Sequence, residues 1–372
     1  MKTVLHNCKI FTGKTVLTDH AIIVDQDIIA GVTTDIPADA KHIDLEGANI
    51  SAGFIDIHIN GGEKFYFSQH PNEATLHDIC QTSRIYGTTH VLPCLITSAH
   101  DTIISAIGVV KEYMHRHNEG VVGMHLEGPF INPLKRGAHP ASQVRKPTIK
   151  ELERIITLGR DVIKVMTIAP ECFDDEQLDL LLDSGFIISA GHSNMTYEQA
   201  QYYFSKGISL VTHLFNAMSQ LQHREPGLAG ATLNNNNVYA PIILDGGHCS
   251  YAAAEIAWKL KQEKLFLISD AALLSRKVKS FKFGDFDAFL GEDGFYRNSE
   301  GNLAGSAISM PEAVQNAMKF LKIPLIEAIK MATIYAARAI KMEDKLGCIA
   351  TGYLAHFCVF NDSLSSCKTI IV

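Results

Sequence analysis

Residues 186–216 read FIISAGHSNMTYEQAQYYFSKGISLVTHLFN. A near-continuous apolar run, FIISAGH (186–192), leads into an amphipathic stretch and then a second run, LVTHLFN (210–216). Unbroken apolar character marks strands buried on both faces. Thr196 opens the intervening stretch and Gln199 follows three residues later, the signature of a capped helix start. The unit reads strand, helix, strand. Each strand runs out to a histidine, His192 or His213.

The same unit recurs outward in both directions. Further apolar runs are GFIDIH (53–58), THVLPCLI (89–96), VVGMHLEG (121–128), IKVMTIAP (163–170), YAPIILDG (239–246) and LFLISDA (265–271). Helical patterns fall at 73–86, 99–117, 148–159, 175–184, 196–206 and 251–263, with two more at 311–321 and 324–341. Eight strands alternating with helices predict an α/β fold, a (β/α)8 TIM-like barrel over residues 53–342. A doubly wound open sheet is the competing arrangement. Both chain ends differ from this middle. Residues 1–52 carry short alternating segments such as AIIVDQDIIA with turn residues between them, and the C-terminal stretch is β-rich too. Residues 1–52 and 343–372 are expected to pair into one small β domain.

Composition bounds the function. The 372 residues are 47% apolar and 20% charged, the balance of a globular chain able to bury a large core. A net charge of −7 argues against nucleic-acid binding, which needs a basic surface. No apolar run reaches the ~18 residues of a membrane span, and the N-terminus lacks the apolar core of a signal peptide. The eight cysteines form no C-x-x-C pair. The expected location is the cytoplasm, with reduced thiols.

Catalytic groups in a barrel sit at the C-terminal ends of the strands. There the sequence presents Asp56, His58 and Asn60, then His125 and Glu127, then His192, His213, Asp245 with His248, and Asp270. Buried strands normally exclude charge, so this concentration calls for a reason. Two imidazoles and a carboxylate with one open position suit a catalytic metal, and Glu127, His192 and His213 make that set. A metal lowers the pKa of bound water to about 7, and Asp270 is placed to shuttle its proton. Taken singly, His58 or His213 reads as an ordinary satisfied histidine. His125 and Glu127 are two apart and face the same way, so either could point inward; Glu127 lies nearer the mouth. His90 reads as structural, and His115 and His117 as solvated. In the loops, Arg224 in HREPGLAGA (223–231) and His248 in DGGH could hold a phosphate or a carboxylate.

GFIDIHINGG, HLEGPFINPLKRGAHP, AGHSN, THLFNAM, REPGLAGA, DGGH, ISDA and LAGSAISMPEAV, in that order, resemble the N-acetylglucosamine-6-phosphate deacetylases of the amidohydrolase superfamily. The resemblance implies a barrel joined to a small β-sandwich built from both chain ends. It implies hydrolysis of a phosphorylated amino sugar, N-acetylglucosamine 6-phosphate, to glucosamine 6-phosphate and acetate. By motif, Glu127, His192 and His213 correspond to ligands of one divalent metal: zinc, or else iron, manganese or cobalt. Asp270 corresponds to the general base and acid, and His139 to a catalytic contact on the substrate. Asn216, Ala217, Arg224 and His248 correspond to phosphate and sugar contacts, and the family implies a homodimer. The superfamily's H-x-H is here His58-Ile59-Asn60, so a second, weakly held metal would have His58 alone from that motif. The segment after Asp270 departs from the family pattern, and 271–300 could cover the site. Two other readings stand: a related hydrolase of cyclic amides or N-acyl amino acids, and a non-catalytic sugar-phosphate binding protein.

Overall fold

The computed structural model describes residues 2–117 and 120–372. Eight short parallel strands form its centre: Phe54–Ile59, Thr88–Ile96, Met124–Glu127, Ile163–Ile168, Ile187–Ala190, Leu210–Val211, Ala240–Ile242 and Leu265–Leu267. The first six pair side by side in chain order, and the seventh pairs with the eighth. Two parallel bridges complete the ring, Leu210 with Tyr239 and Ile59 with Ala271. The first and last strands therefore meet, and no reversal of strand order exists at which an open sheet could bind a ligand. The barrel is the arrangement adopted, and the doubly wound alternative falls away.

Register fixes which side chains reach the mouth. Glu127 lies opposite Ile96 on one neighbour and Thr167 on the other, while His125 lies opposite Cys94 one layer below. The helix Tyr197–Ser205 opens with the expected capping box: the Gln199 amide donates to Thr196 Oγ1 at 3.3 Å, and the Thr196 amide donates to Gln199 Oε1 at 2.9 Å.

Two segments differ from expectation. Residues 324–341 are not one helix but two, Leu325–Met331 and Ile334–Ala339. Thr333 between them leaves helical geometry (φ −133°, ψ −95°), and its hydroxyl bonds the Ile329 carbonyl at 2.8 Å, competing with the helical ladder. The expected loop 223–231 becomes a wholly buried helix from Gly227 to Leu233. Gly230 permits it, since a Cβ there would come within 2.4 Å of Pro226.

The chain ends build two sheets around a core of their own, with Leu5, Ile10, Ile22, Ile50 and Phe357 inside it. In the larger sheet the C-terminal strand His356–Phe360 pairs antiparallel with Asn49–Ala52, beside Lys9–Phe11. A third small antiparallel sheet, Ser280–Phe283, Phe286–Leu290 and Tyr296–Arg297, rises after the eighth barrel strand. It packs on Tyr66, whose ring stacks with Phe286 at 5.5 Å between centroids. Among the described residues, no helix is long and apolar enough to cross a membrane.

Candidate metal centre

Glu127 ends the third strand. Its Oε1 lies 3.1 Å from His192 Nε2 and 3.1 Å from His213 Nε2, and the two imidazole nitrogens are 3.2 Å apart. The three groups come from positions 127, 192 and 213, and each is at most 4% exposed. His192 Nδ1 donates to the Lys135 carbonyl at 2.8 Å, which leaves a lone pair on Nε2 facing the centre. A lone pair set against a carboxylate oxygen at this distance is repulsive unless something positive lies between them. A tetrahedral ion with bonds of ~2.0–2.1 Å holds its donors about 3.3 Å apart. The donor set and its spacing fit a divalent cation.

The electrostatics agree. Burial, with His139 alongside, pushes His192 down to about 4, so the ring is neutral as ligation requires. Burial alone would raise Glu127; the His58, His139, His192 and His213 rings outweigh it and hold the carboxyl well below its usual range. Backbone geometry at the rim is unusual. His192, His213 and Asp270 all adopt positive φ (48°, 32° and 47°), as do Phe215 and Ala217. Such conformations cost of order 1–3 kcal/mol each and persist only where surrounding structure enforces them.

Asp270 follows the eighth strand. Its Oδ1 accepts from Asn60 Nδ2 at 2.7 Å and lies 3.2 Å from His58 Nε2. Asn60, standing where an H-x-H motif has its second histidine, thus holds the carboxylate. His139 Nδ1 meets Thr97 Oγ1 at 2.8 Å, and its Nε2 lies 3.5 Å from Glu127 Oε2. Of the two candidates on the third strand, Glu127 is the one at the centre. His125 occupies the layer below, with Nε2 2.7 Å from Thr167 Oγ1. Asp56 is buried beneath as well; burial pushes it up to about 6 even though Ser269 donates to it.

These groups open on a cavity of about 560 Å³, lined by His139, Asn216, Ala217, His248 and Asp270 from the sequence reading. The lining adds groups the sequence did not single out: Lys135, Arg136, Tyr66 and Phe286. KRGAHP displayed the first two; nothing local marked the aromatic pair. His248 Nδ1 meets Asp245 Oδ2 at 2.7 Å, leaving Nε2 free for a ligand. Arg136 is engaged by Glu300 at 2.7 Å, tying the loop after the third strand to the segment after the eighth. Arg224 is exposed and does not line the cavity. His117 pairs with Glu73 at 3.0 Å on the surface.

Residues 49–371 match the amidohydrolase family, and residues 4–50 match the NagA composite domain. The chain is 37% identical over 377 residues to the N-acetylglucosamine-6-phosphate deacetylase of Haemophilus influenzae, covering 100% of this chain and 98% of that protein. It is 38% identical to the N-acetylgalactosamine-6-phosphate deacetylase of a Shewanella strain, over 93% of this chain and 89% of that one. The crystal structure of N-acetylglucosamine-6-phosphate deacetylase from Pasteurella multocida superimposes with a TM-score of 0.95 at 34% identity, covering 100% and 98% of the two chains. A Mycobacterium smegmatis variant of that enzyme in complex with N-acetyl-D-glucosamine-6-phosphate gives 0.89 at 27% identity, over 98% and 96%. With family, fold and full-length relatives in agreement, this chain belongs to the N-acetylglucosamine-6-phosphate deacetylases of the amidohydrolase superfamily.

Proposed function

We propose that this chain hydrolyses the acetamide of N-acetylglucosamine 6-phosphate to acetate and glucosamine 6-phosphate. The observation that carries this is the convergence of Glu127, His192 and His213 within 3.2 Å beside Asp270, at the floor of one cavity. One cation per chain, with zinc first among the candidates, would be held by Glu127, His192 and His213; when bound it polarises the amide carbonyl and makes water acidic near neutral pH. Asp270 takes the proton from the attacking water and returns it to the departing nitrogen, so that one carboxylate serves both halves of the reaction. Asn60 holds Asp270 in position through the 2.7 Å contact. His139, oriented by Thr97, stabilises charge developing on the carbonyl oxygen. Asn216, Ala217 and His248 take the sugar and phosphate.

Arg224 enters this reading only across a subunit boundary, because in one chain it faces solvent. We therefore take the working enzyme to be a homodimer. The chain divides into a barrel of residues 53–342 and a β unit of 1–52 with 343–372. No two of the eight cysteines are bridged, which supports a reducing compartment such as the cytoplasm. The Shewanella relative favours one second reading, the galactosamine epimer as substrate. Acetate release decides between them. Protein loaded separately with zinc, iron, manganese and cobalt is offered both 6-phosphates, unphosphorylated N-acetylglucosamine and N-acetyl amino acids. The glucosamine 6-phosphate derivative should turn over fastest. Release from none of the phosphorylated sugars would overturn the reading.

A further inference from the structure

The cavity has two unlike walls. Lys135, Asn216 and His248 give one of them charge and hydrogen-bonding groups. The other wall is apolar and belongs to a cluster separate from the barrel core and from the core of the β domain; in it Tyr66, Ile96, Phe286 and Ala304 are at most 4% exposed. Ala138, beside His139, packs against the same cluster. The walls face one another across the ring. Asn216 and His248 follow the sixth and seventh strands, whereas Tyr66 follows the first and Ile96 ends the second. In a closed ring of eight strands the second stands opposite the sixth. Ile96 is in register with Glu127 on the neighbouring strand, so its side chain emerges level with that carboxylate.

Both aromatic rings of this wall are held firmly. The Phe67 amide donates to the Asn60 carbonyl at 2.7 Å, closing a hairpin in which Gly61 pairs with Tyr66. The Ile96 amide donates to Ser68 Oγ at 3.0 Å, tying that hairpin to the second strand. Asn60 also holds Asp270, so the hairpin that carries Tyr66 starts beside the reacting groups. Phe286 comes from outside the barrel, on the strand Phe286–Leu290, and lies on Tyr66 with ring planes 8° apart. Phe281 braces both rings, at 4.9 Å from Tyr66 and 5.8 Å from Phe286 between centroids. A ring packed in this way does not swing aside for a larger ligand.

We propose that Tyr66, Ile96 and Phe286 form the acyl pocket of this enzyme, and that Phe286 closes its far end and so restricts the substrate to short N-acyl groups. The inference rests on the deacetylase reading, and its test separates the two claims. With sugar and phosphate taken by Asn216, Ala217 and His248, and the carbonyl beside His139, the acyl chain points to the opposite wall. The acyl methyl is the apolar end of the substrate, and there it meets apolar surface and leaves no polar group unpaired. Each methylene too many for a hydrophobic pocket of fixed shape costs roughly 10–200-fold in kcat/KM. Removing the Phe286 phenyl frees more room than the methylenes that separate a butyryl group from an acetyl group.

Metal-loaded full-length protein is offered the N-acetyl, N-propionyl and N-butyryl derivatives of glucosamine 6-phosphate, and the free amine formed from each is measured. Wild type should prefer acetyl over butyryl by about 100-fold or more in kcat/KM. Phe286→Ala should shrink that preference by about tenfold or more, and Phe286→Leu by less. The ratio is independent of how much of each preparation is folded, and Phe286→Leu keeps an apolar side chain in the cluster if Phe286→Ala does not fold. The preference for phosphorylated over unphosphorylated N-acetylglucosamine should stay at its wild-type value, because that end of the substrate lies across the cavity. Several results overturn the acyl pocket while leaving the deacetylase reading intact. One is a wild type that takes butyryl as readily as acetyl. Another is an equal loss on all three acyl groups in the variants, which would make Phe286 a stacking surface for the sugar ring. A third is a shift in both preferences together, the mark of a generally loosened cavity. A wild type that hydrolyses none of the series sinks both claims.

Discussion

His90 offers a quantitative test at the seam between barrel and β domain. It lies on the second barrel strand, 4% exposed, with Nδ1 2.9 Å from Thr89 Oγ1 and Nε2 3.2 Å from Nδ1 of His356 on the C-terminal strand. Their rings stack at 5.0 Å. Burial, then the charges of His356 and Arg84, pushes His90 down to about 3. In the unfolded chain it titrates near 6.5. The folded state therefore refuses a proton that the unfolded state accepts. Stability is whole above pH 6.5 and falls as pH drops from 6.5 towards 3, by about 1.4 kcal/mol per pH unit in the middle of that window. At pH 4.5 the loss is roughly 3 kcal/mol. His90→Gln keeps a hydrogen-bonding side chain and removes the titration. Urea unfolding, followed through Trp258 fluorescence and circular dichroism, is run on metal-free wild type and variant from pH 7.5 to 4.5. Wild type should lose roughly 3 kcal/mol more than the variant across this range. Parallel curves would show that His90 carries a proton in the fold, and the account of its burial would fail.

Asp270→Asn should cut kcat by roughly 10²–10⁴ with little change in KM, measured by acetate release; near-normal turnover would remove its acid–base role. Arg224→Ala should raise KM for the phosphorylated substrate and leave unphosphorylated substrate unaffected, with sedimentation showing a dimer in both proteins. An unchanged KM would take Arg224 out of the site. Gly128→Ala should cost at least about 1–2 kcal/mol in unfolding free energy, because Gly128 has φ +82° and a Cβ would meet Thr97 Oγ1 at 2.3 Å. It should also lower kcat by disturbing the hydroxyl that orients His139, and unaltered kcat would separate Thr97 from catalysis.

The strand ends made most of this site legible. Glu127, His192, His213 and Asp270 stand out because charge at the end of an apolar run is costly without a partner. The pattern could not separate His125 from Glu127, since residues two apart share a face; only the distances to His192 and His213 decide. The helix Gly227–Leu233 was hidden by its two glycines, which argue locally for a loop while tertiary packing buries every residue. Thr333 broke the last helical stretch through a hydroxyl contact that periodicity does not register. Arg224 was visible as a cation in a polar segment, but its direction depends on packing that no single-chain pattern encodes.

The pairing of Phe357 with Ala52 spans about 300 positions, and it has a consequence for synthesis. At ribosomal speeds of about 5–20 residues per second, the edge of Asn49–Ala52 waits roughly 15–60 s for its C-terminal partner to emerge. During that interval Ile50 and its neighbours present an unsatisfied backbone edge to other nascent chains, so crowded polysomes and a truncated C-terminus should both favour aggregation over assembly.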